Sequence, residues 1–388
     1  MKHFKGYQVD SRQIKPGELF FALPGEKTDG HLFLADVEAR GGVGAVVSNA
    51  YQGPDYGLTL FPVEDVLATL QDMARQSLGK AQIIAITGSM GKTTTKDFTA
   101  TLLEGKFRVG KTYSSYNTKL TLPITILNMT GDEEVLVLEM GMGEPGDIAK
   151  LVSIAPPDVA VLTKVGMAHY GEIFPGGVRE VEKAKAEIFG SPRTKKAIVY
   201  HGFDLPLKCQ KVIHNDPLER LPCKAPFPQP HVQYNFTIAV TVAREMGMEW
   251  DEIERQIPKL RLPKMRFEQF ERDGILFVND AYNANPESMK SALNCFPEPR
   301  AGGKRIAVLG RMIDLGPFSK AAHEEVGRLA EEKADCLLTL GDAMFSKRAE
   351  HFEDLATMKA RLHELMRPGD VVLVKGSRDL AMERLFLK

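Results

Sequence analysis

Short apolar runs alternate with amphipathic stretches along almost the whole chain, and this alternation constrains the fold more than any other feature. Candidate strands are ELFFAL (18–23), GAVVS (44–48), IIAIT (83–87), EVLVLEM (134–140), DVAVLT (158–163) and KAIVY (196–200), followed by ILFVND (275–280), RIAVLG (305–310), CLLTL (336–340) and DVVLVKG (370–376). Between them the spacing predicts helices over 64–78, 92–104, 178–189, 236–247, 286–296, 319–333 and 355–366. Such a pattern folds as largely parallel sheets covered by helices on both faces, with active sites beyond the C-terminal strand ends. At 388 residues the chain exceeds one ordinary core. Breakers place three domains: 1–80, ending where Gly79 interrupts a helix; 81–263; and 264–388, after a hinge bracketed by Pro258 and Pro263. Residues 203–230, with six prolines, read as an irregular excursion inside the second domain.

The strongest local chemistry lies at 83–98, IIAITGSMGKTTTKDF. Ile83, Ile84 and Ile86 suit a buried parallel strand, and Gly88 and Gly91 let backbone N–H groups converge on an anion. The helix opening at Lys92-Thr93 aims its positive end at the same point. Lys92 is placed to reach terminal phosphates, and the Thr93 hydroxyl to ligate a phosphate-bound Mg²⁺, so ATP is the expected ligand, cradled by Gly88, Ser89, Gly91, Lys92, Thr93 and Thr94. The strict G-x-x-x-x-G-K-[ST] pattern fails only at its first position, which is Ile86.

Composition excludes other classes. Charged residues make up 26% with a net charge of −1, so no global field recruits nucleic acid or an anionic membrane. No apolar run approaches the ~20 residues of a membrane span, and MKHFKGYQVDSRQ (1–13) has no apolar signal core. Cys209, Cys223, Cys295 and Cys336 show no C-x-x-C spacing. A reduced, cytoplasmic protein is expected. Glu139, at a strand end, reads either as a Mg²⁺ ligand or as a helix-capping or surface glutamate, and His169 as a strand-end histidine of structural or ligating use. On spacing alone, EVEKAKAEIF, with Lys185, reads as a solvated charged face.

Read together, TGSMGKTTTK (87–96), LEMGMGEPGDI (138–148), AHYGEI (168–173), AKAEIF (184–189), DAYNANPESM (280–289), AVLGRMIDLG (307–316) and VKGSR (374–378) resemble the Mur ligase family. DSRQIKPGELFFALPGEKTDGHLF (10–33) is similar to that family's nucleotide-sugar domain, so the likeness spans all three domains. Within the family it is closest to the branch that adds D-alanyl-D-alanine to UDP-N-acetylmuramoyl-tripeptide. The resemblance implies a small N-terminal α/β domain binding the UDP-sugar, a central P-loop domain binding ATP and a C-terminal Rossmann-like domain. It also implies an ATP-dependent amide ligase working through an acyl phosphate, with those two substrates as its small-molecule partners, acting as a monomer. By similarity Lys92 binds the β and γ phosphates, Thr93 and Glu139 hold one Mg²⁺, and His169 helps hold a second. Lys185 aligns with a lysine carbamylated in several members, a change that replaces a cation by an anion.

The same likeness assigns further contacts. His231 and Asn235 match an H-x-x-x-N segment whose asparagine reads adenine; Arg266 matches an interdomain arginine reaching a phosphate; Asp280 and Asn283 match a third-domain nucleotide contact. Ser11, Arg12, Asp29 and His31 are candidates for the UDP end of the acceptor, against a reading as turn and cap. Lys375, Ser377 and Arg378 are candidates for the incoming amine component's carboxylate, although Arg378 also suits the start of a surface helix. Departures fall at Asn117-Thr118-Lys119-Leu120-Thr121, where N-N-x-x-G is usual, at Lys164 where asparagine is usual, and at Arg311 within GRM. These leave open a related amide ligase with another carboxylate and amine, and a non-catalytic nucleotide-binding regulator.

Overall fold

The computed structural model describes residues 4–25, 28–166, 173–214, 221–300, 302–341 and 345–386. Three parallel-rich sheets follow one another along the chain. The first orders Tyr7–Gln8, Leu19–Phe21, Gly44–Ser48 and Thr59–Val63 side by side, all parallel. The second runs Gln210–His214, Lys196–Tyr200, Val159–Leu162, Gln82–Thr87, Val135–Glu139, Val109–Lys111, again all parallel. In the third, Glu268–Arg272, Ile275–Asn279, Val371–Lys375, Arg305–Gly310, Cys336–Leu340 and Glu350–Phe352 lie in that order, and only Glu268–Arg272 is antiparallel to its neighbour.

Strand periodicity sorts the apolar side chains onto two faces. Ile83 and Ala85 enter one core with Leu136 and Leu138, whereas Ile84 and Ile86 enter the opposite core with Val135 and Val137. The first of these cores also takes Leu19, Phe21, Val46 and Leu70, so one face of the N-terminal sheet docks directly on the middle unit. Phe20, Ala45 and Val47 point the other way, into a small separate core. In the third sheet Ala307 and Leu309 face one helical layer, and Ile306 and Val308 the other.

The stretch 203–230 is not wholly irregular: Gln210–His214 adds an edge strand beside Lys196–Tyr200, with Lys211 opposite Ala197. Its polar, half-exposed pattern hides it from a reading based on apolar runs. What the fold contributes to function is the position of Gln82–Thr87. It sits between Val135–Glu139 and Val159–Leu162: the chain leaves it for the edge strand Val109–Lys111, turns back through Val135–Glu139 and then crosses to Val159–Leu162 on its other side. A crevice at such a reversal is where ligands bind in open α/β sheets.

Candidate active site

At the C-terminal end of Gln82–Thr87 the chain turns into helix Lys92–Leu103. Gly88 and Gly91 take φ of 152° and 82°, and both glycines are sterically required: a Cβ on Gly88 would collide with Thr163 Oγ1, and one on Gly91 with Asn235 Oδ1. Two backbone bonds fasten the loop to the next strand's end, from the N–H groups of Ser89 (2.9 Å) and Met90 (3.3 Å) to the Lys164 carbonyl. The helix's own ladder starts with Thr95 N–H donating to Gly91 O at 2.8 Å, so the preceding N–H groups of the first turn have no intrahelical acceptor. This is an anion cradle. Lys92 donates from Nζ to Gly88 O at 2.8 Å, folded over the loop it would leave to meet a phosphate.

Beside the loop stands a chain of oxygen ligands. Thr93 Oγ1 donates to Glu139 Oε2 at 2.8 Å, and Asn117 Nδ2 donates to Glu139 Oε1 at 2.7 Å. Glu139 is 1% exposed, which removes the surface-glutamate reading. Its position depends on Lys96, which sequence reasoning included in a motif without giving it a role. Buried Lys96 donates to the carbonyls of Thr112 and Ser114, both at 2.8 Å, and Thr112 Oγ1 accepts from Glu139 N–H at 2.9 Å. The lysine thus staples the loop carrying Asn117 beneath the phosphate helix. Burial lowers the Lys96 amine's pKa, against the pull of Asp97 and Glu139.

Lys185 lies on helix Val178–Ala186 and is 1% exposed, so the solvated-face reading of EVEKAKAEIF fails for it. Burial, reinforced by the positive charge of Lys92, pushes its amine well below the usual lysine range. His169 falls outside the described residues.

The third unit closes the cleft from the opposite side. Arg266 Nη2 donates to Thr93 Oγ1 at 3.2 Å, its guanidinium stacks 3.9 Å from the Tyr282 ring centroid, and its Nε is buried without a partner among the described residues. A donor left in that state suits a ligand oxygen. Met265 and Phe267, on either side, hold positive φ of 59° and 57°, a left-handed backbone that costs free energy in non-glycine residues. Asp280 fixes this bend: Oδ1 accepts from Phe267 N–H at 3.0 Å, and Oδ2 accepts from buried Lys375 at 2.6 Å. Lys375 also donates to Asn283 O at 2.9 Å. The resulting cleft, about 770 Å³, is lined by the phosphate loop, Glu139, Asn235, Arg266, Asp280 and Lys375, among others.

The remaining sequence candidates lie elsewhere or are otherwise engaged. Ser377 is buried, and Arg378 opens a short helical turn and pairs with Glu383 at 2.7 Å, outside the cleft lining. In the N-terminal unit Arg12 is paired with Asp10 at 2.8 Å. His31 Nδ1 lies 2.6 Å from Asp29 Oδ1, and Nε2 accepts from Ser48 N–H at 2.9 Å, so both ring nitrogens are used within the domain. Asp29 also caps the turn from Gly30 to Phe33, which is the turn-and-cap geometry. Thr118 accepts and shares hydrogen bonds with Thr121 at the head of helix Thr121–Leu127.

Comparison with known proteins agrees with this architecture. Residues 3–77 match the model of the Mur ligase family catalytic domain, 86–218 the Mur ligase middle domain, and 265–378 the Mur ligase glutamate ligase domain. A UDP-N-acetylmuramoyl-tripeptide–D-alanyl-D-alanine ligase of Bacillus subtilis is 31% identical, over 98% of this chain and 92% of its own length. The chain belongs to the Mur ligase family. The like-named Escherichia coli enzyme is also 31% identical, over 97% and 92% of the two chains. Among solved structures, a MurF ligase from Thermotoga maritima in complex with ADP superposes with a TM-score of 0.82 at 29% identity, covering 100% of this chain and 97% of that one. A MurF from Acinetobacter baumannii gives 0.84 at 28% identity, covering 99% and 92%. In this Mur ligase the phosphate loop, within the middle-domain match, and Arg266, within the glutamate ligase domain match, meet in one cleft.

Proposed function

We propose that this chain is an ATP-dependent, ADP-forming ligase that joins D-alanyl-D-alanine to UDP-N-acetylmuramoyl-tripeptide in peptidoglycan precursor synthesis. The observation that carries the reading is the contact of Arg266 with Thr93, which brings the third unit onto the phosphate loop beside Glu139. It is joined by the near full-length identity to ligases of that name.

The chemistry follows from the residues. A carboxylate is a poor electrophile, and transfer of the γ-phosphoryl group to it creates an acyl phosphate with a good leaving group. The dipeptide amine then attacks the acyl carbon, phosphate departs, and the amine's proton is lost to solvent or phosphate. Phosphoryl transfer needs mainly alignment and charge neutralisation. Lys92 and Arg266 supply positive charge on two sides of the polyphosphate, and the first-turn N–H groups supply donors. Closure of the third unit shields the acyl phosphate from water.

Thr93 and Glu139 fit a phosphate-bound Mg²⁺, since they offer adjacent hard oxygen donors and no all-protein cage. Held there, it would supply charge neutralisation for the transferred group. A second Mg²⁺ involving His169, and a carbamate on Lys185, complete the proposal; a buried amine with a lowered pKa is the neutral nucleophile that CO₂ requires. The domain limits proposed are 1–80, 81–263 and 264–388. No described helix is long and apolar enough to cross a membrane, and the proposed setting is the cytoplasm, with a monomer as the working unit. The test is product formation: the UDP-linked pentapeptide and ADP, each requiring all three substrates and each lost in Lys92→Ala.

A further inference from the structure

One end of the cleft has no role in the chemistry above. It is lined by Tyr200, His201, His214 and Tyr234. The first three stand at or just beyond the C-terminal ends of strands Lys196–Tyr200 and Gln210–His214, and Tyr234 on the opening turns of helix Pro230–Glu245. His214 is 1% exposed. Its ring meets Tyr234 edge-on, with centroids 5.0 Å apart at 82°, and Nε2 lies 3.3 Å from the Tyr234 hydroxyl. Nδ1 is buried and has no hydrogen-bond partner among the described residues.

A polar atom in that state calls for an explanation, because burying it unpaired costs about 1–3 kcal/mol. A ligand group that pairs with it removes the cost. Asn235, the sequence candidate for reading the base, packs its Oδ1 against Gly91 and lies 3.4 Å from Thr95 Oγ1, on the phosphate loop itself. A nucleoside triphosphate held at that loop must extend its base away from it, along the cleft. The imidazole there is neutral, because burial pushes its pKa down to about 4. The Nε2···phenol contact is compatible with either direction; the tautomer assigned to the bound state has Nε2–H donating to the phenol oxygen, which leaves a lone pair on Nδ1.

We infer that His214 is a specificity-determining residue for the nucleotide base, its Nδ1 accepting a hydrogen bond from the 6-amino group of adenine. The inference rests on the reading of this cleft as the ATP site. A 6-oxo purine presents an acceptor to that lone pair, and a purine with hydrogen at position 6 presents nothing. Both leave the buried nitrogen unpaired, which is how a site built to pair with a substrate group rejects the analogue lacking it.

The experiment measures affinities of the full-length protein for ATP, ITP and purine riboside triphosphate without acceptor present, in wild type, His214→Phe and His214→Asn. Wild type is expected to bind ATP at least about tenfold more tightly than either analogue, the size of one net hydrogen bond. His214→Phe should bring the three affinities within about twofold of one another by weakening ATP, and His214→Asn, which restores an acceptor, should recover part of the preference. In turnover the Phe variant should raise KM for ATP and leave kcat unchanged, because the base takes no part in the reaction. Equal affinity of wild type for ATP and the 6-hydrogen analogue overturns the inference even if the Phe variant does not fold, as does a folded Phe variant that keeps the full preference. Failure of the ligase reading shows separately, as absence of pentapeptide while the triphosphate ratios remain measurable.

Discussion

Replacing Asp280 by asparagine removes the carboxylate from a buried ion pair and leaves the Lys375 ammonium with neutral acceptors alone, the side-chain amide oxygen and the peptide carbonyls of Asp280 and Asn283. The Lys375 side chain is 3% exposed and that of Asp280 15%, so little water can take over. Burial already lowers the pKa of the lysine amine, with Asp280 as the opposing influence. Breaking a buried pair from one side typically costs about 3–5 kcal/mol, mostly the penalty of the stranded charge. The expectation is therefore about 3 kcal/mol for Asp280→Asn, slightly over two decades in a local opening constant. Lys375→Met should cost a similar amount, because it strands the carboxylate. The double variant should fall within about 1–2 kcal/mol of wild type, since a buried pair replaced by neutral groups is often tolerated. Hydrogen exchange at Val371–Lys375 and Ile275–Asn279 reads the loss locally, which avoids treating a three-sheet chain as a two-state unit. Single variants that each cost under 1 kcal/mol, or a double variant as damaging as their sum, would refute the argument that the pair's desolvation controls this wall of the cleft.

Three other outcomes are expected. His214 has its folded pKa lowered to about 4, below its ordinary value of 6.5, so the unfolded state binds the extra proton between those limits; stability is full above about pH 6.5 and falls by up to about 3 kcal/mol as pH drops to about 4. Denaturation across that range should show the slope, and His214→Phe should reduce it, leaving the share due to His231, whose pKa burial also lowers; an unchanged slope would contradict a buried neutral imidazole. Asn117→Ala deletes the bond that orients Glu139, a hydrogen bond to a charged group worth about 1.5–3 kcal/mol, so kcat/KM for ATP should drop by about ten- to a hundredfold, and a loss under threefold would count against that role. Incubation with ¹³C-bicarbonate should give a carbonyl NMR signal that disappears in Lys185→Ala, and its absence in active wild-type enzyme would remove the carbamate.

Central strands were legible because they are apolar on both faces: GAVVS, KAIVY, RIAVLG and CLLTL coincide with observed strands residue for residue. Edges were not. Thr59–Val63 contains Pro62, Glu268–Arg272 is mostly charged, and Gln210–His214 is half exposed, as sheet margins commonly are. Helix Thr121–Leu127, TLPITIL, carries β-branched residues and a proline that local propensity assigns elsewhere, and packing overrides this. The phosphate loop was readable because its function is local, within ten residues or so. The staple from Lys96 to Thr112 and Ser114 was not, because each end gains its meaning only from folding. His214 has no signal at all in KVIHND; what singles it out is an unpaired nitrogen seen only in three dimensions.

The most direct test of the whole account incubates the purified protein with MgATP, UDP-N-acetylmuramoyl-tripeptide and D-alanyl-D-alanine, following phosphate release and product mass, with Lys92→Ala alongside. Phosphate release should require both peptide substrates and should be matched by a UDP-linked pentapeptide mass that the variant cannot make. ATP binding with no pentapeptide from either a lysine- or a diaminopimelate-containing tripeptide would contradict that expectation, and would turn attention to Thr118 and Lys164 as determinants of a different acceptor.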